Sequence, residues 1–135
     1  MAYVGMKNQC WYISSMMSKL PNYNFDGFKR KKLELLCKYK GTLDVWSPSE
    51  HEPNKTDAMW SEYLAQDIID IEENCTGIYM FGQWYRSQGA CVEMLAAHRL
   101  GLDIIIENKY LRWVPKVLDL IFTVSGSSKE TLTEE

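Results

Sequence analysis

Hydrophobic positions along the chain fall into short runs separated by stretches with helical spacing. Cys10 to Ser14 is a short apolar and aromatic run and predicts a first strand. From Asn24 to Lys40, Phe25, Phe28, Leu35, Leu36 and Tyr39 recur at helical intervals. Gly41 follows, where a C′ glycine would end that helix. Leu43 to Trp46 predicts a second strand, closed by Ser47-Pro48, and a polar loop runs on through Asn54. Thr56 or Asp57 is placed to cap a helix reaching about Glu73. Gly77 to Phe81 predicts a third strand, Gly89 to Leu100 a helix, and Asp103 to Glu107 a fourth strand. Val114 to Phe122 closes the series as a helix with Pro115 in its first turn, where a missing N–H is tolerated. Residues 125–135 are polar and acidic and read as a frayed tail, leaving one domain over 1–124.

Strands alternating with helices predict a parallel sheet with helices on both faces. Ligands in such folds bind outside the C-terminal ends of the strands. That expectation singles out the segments after Ser14, after Trp46 and after Phe81.

Two acids break the pattern. At about 100° per residue, Trp60, Tyr63, Leu64, Ile68 and Ile71 form one stripe of the helix ending near Glu73, and Asp67 falls inside it. Asp70 lies at the stripe's edge. On the next helix, Ala90, Met94, Ala97 and Leu100 form the apolar face, and Glu93 falls between Ala97 and Leu100. A carboxylate among core-facing residues is costly unless it is paired or faces a cavity. Glu93 is also expected in the first turn or so of its helix, where the dipole favours an anion. Ser87-Gln88-Gly89 precedes it: a serine and a glycine at a strand-to-helix turn can hold an anion, or can simply cap the helix. Each acid also has a structural reading, as a dipole-stabilised charge or one satisfied by a tyrosine, an arginine or a partner chain.

Composition narrows the classes. The chain has 135 residues, 46% hydrophobic and 24% charged, with a net charge of −3, which fits one globular domain and argues against general nucleic-acid binding. The one basic cluster, Lys29 to Lys32, falls on a predicted helix and reads as a solvated face. No run reaches the length of a membrane span, and the N-terminus lacks the pattern of a signal peptide. Cys10, Cys37, Cys75 and Cys91 are scattered without a C-x-x-C pair and read as reduced, mostly buried thiols of a cytoplasmic protein. Neither a metal nor a cofactor is expected.

The combination resembles a known family. Tyr12-Ile13-Ser14-Ser15-Met16-Met17-Ser18, Leu20-Pro21-Asn22-Tyr23-Asn24, Trp60, Tyr63, Asp67, Ile78-Tyr79-Met80, Trp84, Ser87, Gly89-Ala90, Glu93, Ala96, Gly101 and Ile104 are similar in order and spacing to a small phage and bacterial family. That family is itself similar to the nucleoside 2-deoxyribosyltransferases and the 2-deoxynucleoside 5-monophosphate N-hydrolases. The likeness spans about residues 9 to 107. It implies a single Rossmann- or flavodoxin-like α/β domain with a mostly parallel sheet of four to five strands. By the same resemblance, Glu93 matches the glutamate that attacks the anomeric carbon, Tyr12 the tyrosine that orients it, and Asp67 the aspartate that protonates the leaving base. Ser87 matches the serine that contacts the 5-phosphate. Ser14, Ser15 and Gly89 complete the implied substrate contacts, and Trp84 and Trp46 are candidate walls for a base, against their plainer reading as core aromatics. The family usually has glycine-proline after Tyr-Ile-Ser, where a glycine lets backbone N–H groups come close to phosphate or ribose; this chain has Ser15-Met16 there.

Three functions stay open at this point. The chain is expected to hydrolyse or transfer the N-glycosidic bond of a nucleoside 5-monophosphate, to bind a nucleotide or nucleotide signal without turnover, or to act as a scaffold. The expected partners are a small-molecule nucleotide or nucleoside and further copies of the chain, as a homodimer or higher homo-oligomer, with no nucleic-acid polymer and no membrane.

Overall fold

The computed structural model describes residues 9–17, 20–48, 60–107, 111–116 and 118–119. Four strands form one sheet: β1 (Gln9–Ser14), β2 (Leu43–Trp46), β3 (Gly77–Met80) and β4 (Asp103–Ile106). Among the described residues, three helices connect them: α1 (Phe25–Lys38), α2 (Trp60–Asn74) and α3 (Gln88–Arg99). The strand order is β2-β1-β3-β4, and every pairing is parallel. This is the flavodoxin-like order, whose direction of winding reverses between β1 and β3. The single α/β domain with a parallel sheet and helices on both faces is therefore as expected.

Alternation along the strands sorts the core into two layers. Ile13, Val45 and Phe81 face α1 and pack with Phe28 and Leu35. Tyr12, Ile78, Met80 and Ile106 face the opposite way and pack with Ile71 of α2 and Ala90, Met94 and Ala97 of α3. Leu111, Val114 and Leu118, from the closing segment, join that second layer. His98 Nε2 reaches Asp119 Oδ1 at 3.1 Å, linking the closing segment to α3.

Several local expectations are corrected. Helix α1 stops at Lys38 with Tyr39 as C-cap, so Gly41 lies one residue beyond the C′ position, with φ +77°. Tyr39 N–H donates to the Leu35 carbonyl at 3.0 Å and Thr42 N–H to the Tyr39 carbonyl at 3.1 Å, which closes the helix without a C′ glycine. The basic cluster is not a uniformly solvated face. Lys31 lies three residues after Phe28 and four before Leu35, on the buried side of α1, and its side chain is only 12% exposed. Its ammonium binds Glu107 and Glu34 and lies 5.6 Å from the centre of the Phe81 ring. The loop after Ser47-Pro48 through Asn54, the Thr56 or Asp57 cap and the tail over 125–135 lie outside the described residues.

Candidate functional site

The C-terminal ends of β1 and β3 lie side by side at the point where the winding reverses, which is where open α/β sheets bind ligands. Phe81 N–H donates to the Ser14 carbonyl at 3.1 Å and carries the β1–β3 ladder past the last strand residue. Gly82 follows with φ +63°, a left-handed conformation that side chains disfavour, and a Cβ there would stand 2.9 Å from Ser15 Oγ. Ser15 is 6% exposed, so the loops after β1 and β3 meet at that pair. Upstream, the Asn24 side-chain amide donates to the Met16 carbonyl at 3.0 Å and ties the β1 loop to the start of α1.

Alternation puts Tyr12 and Ser14 on the same face of β1, beneath α3. Tyr12 Oη donates to Glu93 Oε2 at 2.9 Å, and Ser14 Oγ donates to Glu93 Oε1 at 2.7 Å. All three residues are buried. A carboxylate removed from water loses its hydration, and one hydroxyl on each oxygen replaces part of it. The helical-wheel reading of Glu93 as an inward acid holds. Glu93 is the sixth residue of α3, just past the first turn, which itself holds no acid. The macrodipole fades within the first turn, so hydroxyl donors hold the carboxylate, not the helix end.

Asp67 is also buried on α2, one turn before fully buried Ile71. The end of α2 lies at the N-terminal edge of the sheet, where Cys75 meets Cys10 and Thr76 N–H donates to the Cys10 carbonyl at 2.7 Å. Eight residues back along the helix is about 12 Å. Cys10 to Ser14 along the strand is about 13 Å. Asp67 therefore lies toward the C-terminal edge of the sheet, the end that carries Ser14 and Glu93, and α2 packs on α3.

Ser87 is the N-cap of α3. Its Oγ accepts from Ala90 N–H at 3.1 Å, and a hydroxyl that accepts can still donate its own hydrogen. Gly89 occupies the helix's first turn. The two tryptophans separate. Trp46 pairs in register with Tyr12, half-buried on the same face. Trp84 is 3% exposed in the 3-10 turn Trp84–Arg86 that leads into α3, stacked edge-on against Tyr85. Among the described residues its indole N–H meets no acceptor, so packing sets its position.

Two features went unread in the sequence. Ser14 is a partner of Glu93, which the two-residue alternation from Tyr12 would have indicated. Ser47, 1% exposed just past β2, is a third buried serine at this edge of the sheet, and its signal is a polar residue directly after a strand of apolar alternation. Among the described residues no group of three or more His, Cys, Asp or Glu is arranged to hold a metal ion. No described helix is long and apolar enough to cross a membrane.

No curated protein matches the chain. A family does match, over residues 9–106, which takes in all four strands, Tyr12, Ser14, Asp67, Ser87 and Glu93. With most of its length covered in this way, the chain belongs to the family described as Domain of unknown function (DUF4406).

Proposed function

We propose that this domain cleaves or transfers the N-glycosidic bond of a nucleoside 5-monophosphate, with Glu93 as nucleophile. The observation that carries the reading is the buried Glu93 carboxylate, held by the Tyr12 and Ser14 hydroxyls at the reversal point of the sheet. Glycosidic cleavage through a covalent intermediate needs an oriented carboxylate at the anomeric carbon and a second group that protonates the leaving base. In this reading Glu93 attacks the anomeric carbon as the bond to the base breaks, and Asp67 delivers the proton the base requires. Water, or a second base, then releases the sugar from Glu93. Ser87, at the start of α3, donates its hydroxyl hydrogen to the 5-phosphate, beside the anion-favouring helix terminus. A serine there suits phosphate where an acid would repel it. The likeness to the nucleoside 2-deoxyribosyltransferases and the monophosphate N-hydrolases supports the same assignment, and homo-oligomerisation belongs to it.

The test is a panel of nucleotides and deoxynucleotides, including modified ones, incubated with the protein and resolved by chromatography. Free base is expected with the native chain and none with Glu93→Ala; no base from any member of the panel overturns the reading. Light scattering should show a homo-oligomer, and a monomer at working concentration contradicts that part.

A second reading is a nucleotide-binding module without turnover. Glu93 is only 7% exposed, and Ser15 stands against Gly82 where the resembled family usually carries a glycine. Nucleotide binding that survives Glu93→Ala, with no product formed, would select it.

A further inference from the structure

Sixty-five positions separate Cys10 from Cys75, yet the fold brings their sulfurs to 3.8 Å. The contact is built by the backbone around it. Cys10 N–H donates to Thr76 Oγ1 at 3.0 Å, and Thr76 N–H donates back to the Cys10 carbonyl at 2.7 Å. Cys75 N–H is held by the Ile71 carbonyl at 3.1 Å, at the end of α2. The pair lies at the N-terminal edge of the sheet, opposite Glu93. Cys75 is buried and Cys10 half-buried, and both are free thiols.

From this juxtaposition we propose that Cys10 and Cys75 form a reversible dithiol–disulfide couple that reacts with low-molecular-weight disulfides. The sulfurs are already in contact, so bond formation needs a closing movement of about 2 Å and no change of strand pairing. The surroundings order the two steps. The hydrogen bond shared with the Cys75 thiol draws the Cys10 thiol below its ordinary value, with Lys32 assisting against burial and Asp44. The same hydrogen bond, with burial and the nearby Asp70 and Asp44 carboxylates, pushes Cys75 well up. Cys10 is therefore the attacking thiolate. It bonds to one sulfur of the small disulfide, breaks the S–S bond and releases one thiolate, which takes a proton from water. Cys10, now in a mixed disulfide, carries no charge, and the main influence that held the proton on Cys75 is gone. Cys75 gives its proton to water and attacks Cys10 Sγ, expelling the second small thiolate. The two cysteines lose two electrons, and the small disulfide becomes two thiols. The new bond would join β1, which carries Tyr12 and Ser14, to the end of α2, which carries Asp67.

The test uses Cys37→Ser as background, because exposed Cys37 would itself take up the reagent. The folded protein is treated with glutathione disulfide, alkylated and peptide-mapped, with circular dichroism confirming that it stays native. A Cys10–Cys75 cross-link that dithiothreitol reverses is expected. Adding Cys75→Ser should stop the reaction at a mixed disulfide on Cys10, and adding Cys10→Ser should leave Cys75 unmodified. Recovery of both cysteines as separately alkylated thiols, or initial modification at Cys91 or Cys75, overturns the proposal. The wild-type pair in the Cys37→Ser background decides the matter even if a further variant fails to fold.

Discussion

Glu93 holds a hydroxyl on each carboxylate oxygen, and that arrangement decides what nearby substitutions cost. Tyr12→Phe and Ser14→Ala each remove one donor from a buried carboxylate. A hydrogen bond to a charged group is worth about 1.5–3 kcal/mol, so each variant should lose stability on that order. Because both act on the same group, the double variant should depart from the sum of the two. Urea denaturation of the four proteins measures this, and unchanged midpoints in both single variants would show that the hydroxyls do not support the carboxylate. Under the proposed function the same two variants slow base release. Glu93 and Asp67 were legible in the sequence because a carboxylate on an apolar stripe is conspicuous. The resemblance had already set Tyr12 beside Glu93; the Ser14 bond was not legible, because it closes across 79 positions and depends on how far α3 sits above β1.

At the scale of elements, the start of α3 rests on one side chain. Ser87 Oγ accepts from Ala90 N–H, and loss of such a cap costs about 1 kcal/mol when alanine replaces it, but only a few tenths with glycine. Thermal or urea unfolding of Ser87→Ala and Ser87→Gly should show that ranking; no loss in Ser87→Ala would mean that the hydroxyl does not act as a cap. The turn after β3 makes a second prediction. Gly82→Ala places a side chain at φ +63° and against Ser15 Oγ. The left-handed backbone alone costs about 1–2 kcal/mol, so the variant should unfold at lower urea, and an unchanged midpoint would contradict the strained geometry. Element types and order were readable from periodicity, since strands alternate and helices repeat near every third or fourth residue. Element ends were less so. Tyr39 closes α1 through backbone hydrogen bonds that no residue type advertises, and α3 begins at Gln88, one residue ahead of the Gly89 start read from the sequence.

Across the whole molecule, Lys31, Tyr79 and Glu107 connect α1, β3 and the end of β4. Tyr79 Oη donates to Glu107 Oε2 at 2.8 Å. Burial, reinforced by that bond, raises the Tyr79 phenol well above its ordinary value. For Lys31, burial pulls the ammonium down, but Glu107 and Glu34 outweigh it and leave it above its ordinary value. Both groups keep their protons in the folded state at a pH where the unfolded chain has released them. With fewer protons on the unfolded state, stability falls as pH rises. Their contribution is therefore complete below the unfolded values and declines from about pH 10 upward. Urea midpoints at pH 8, 10 and 11 should decline less steeply in Tyr79→Phe than in the native chain; parallel declines would remove Tyr79 from the alkaline transition.

The sequence by itself determined the alternation of strands and helices, the inward-facing acids and the class of fold, because hydrophobic periodicity is local and records which side of each element meets the core. Lys31 was also within its reach, since it shares the i, i+3, i+7 face with Phe28 and Leu35. Tertiary structure decided what local patterns do not encode: the order β2-β1-β3-β4, the meeting of the β1 and β3 loops at Ser15 and Gly82, the two hydroxyls on Glu93, and the contact of Cys10 with Cys75. Each depends on chain segments far apart in sequence being stacked at one level of the sheet, and that level is set by parallel register and by helix length together.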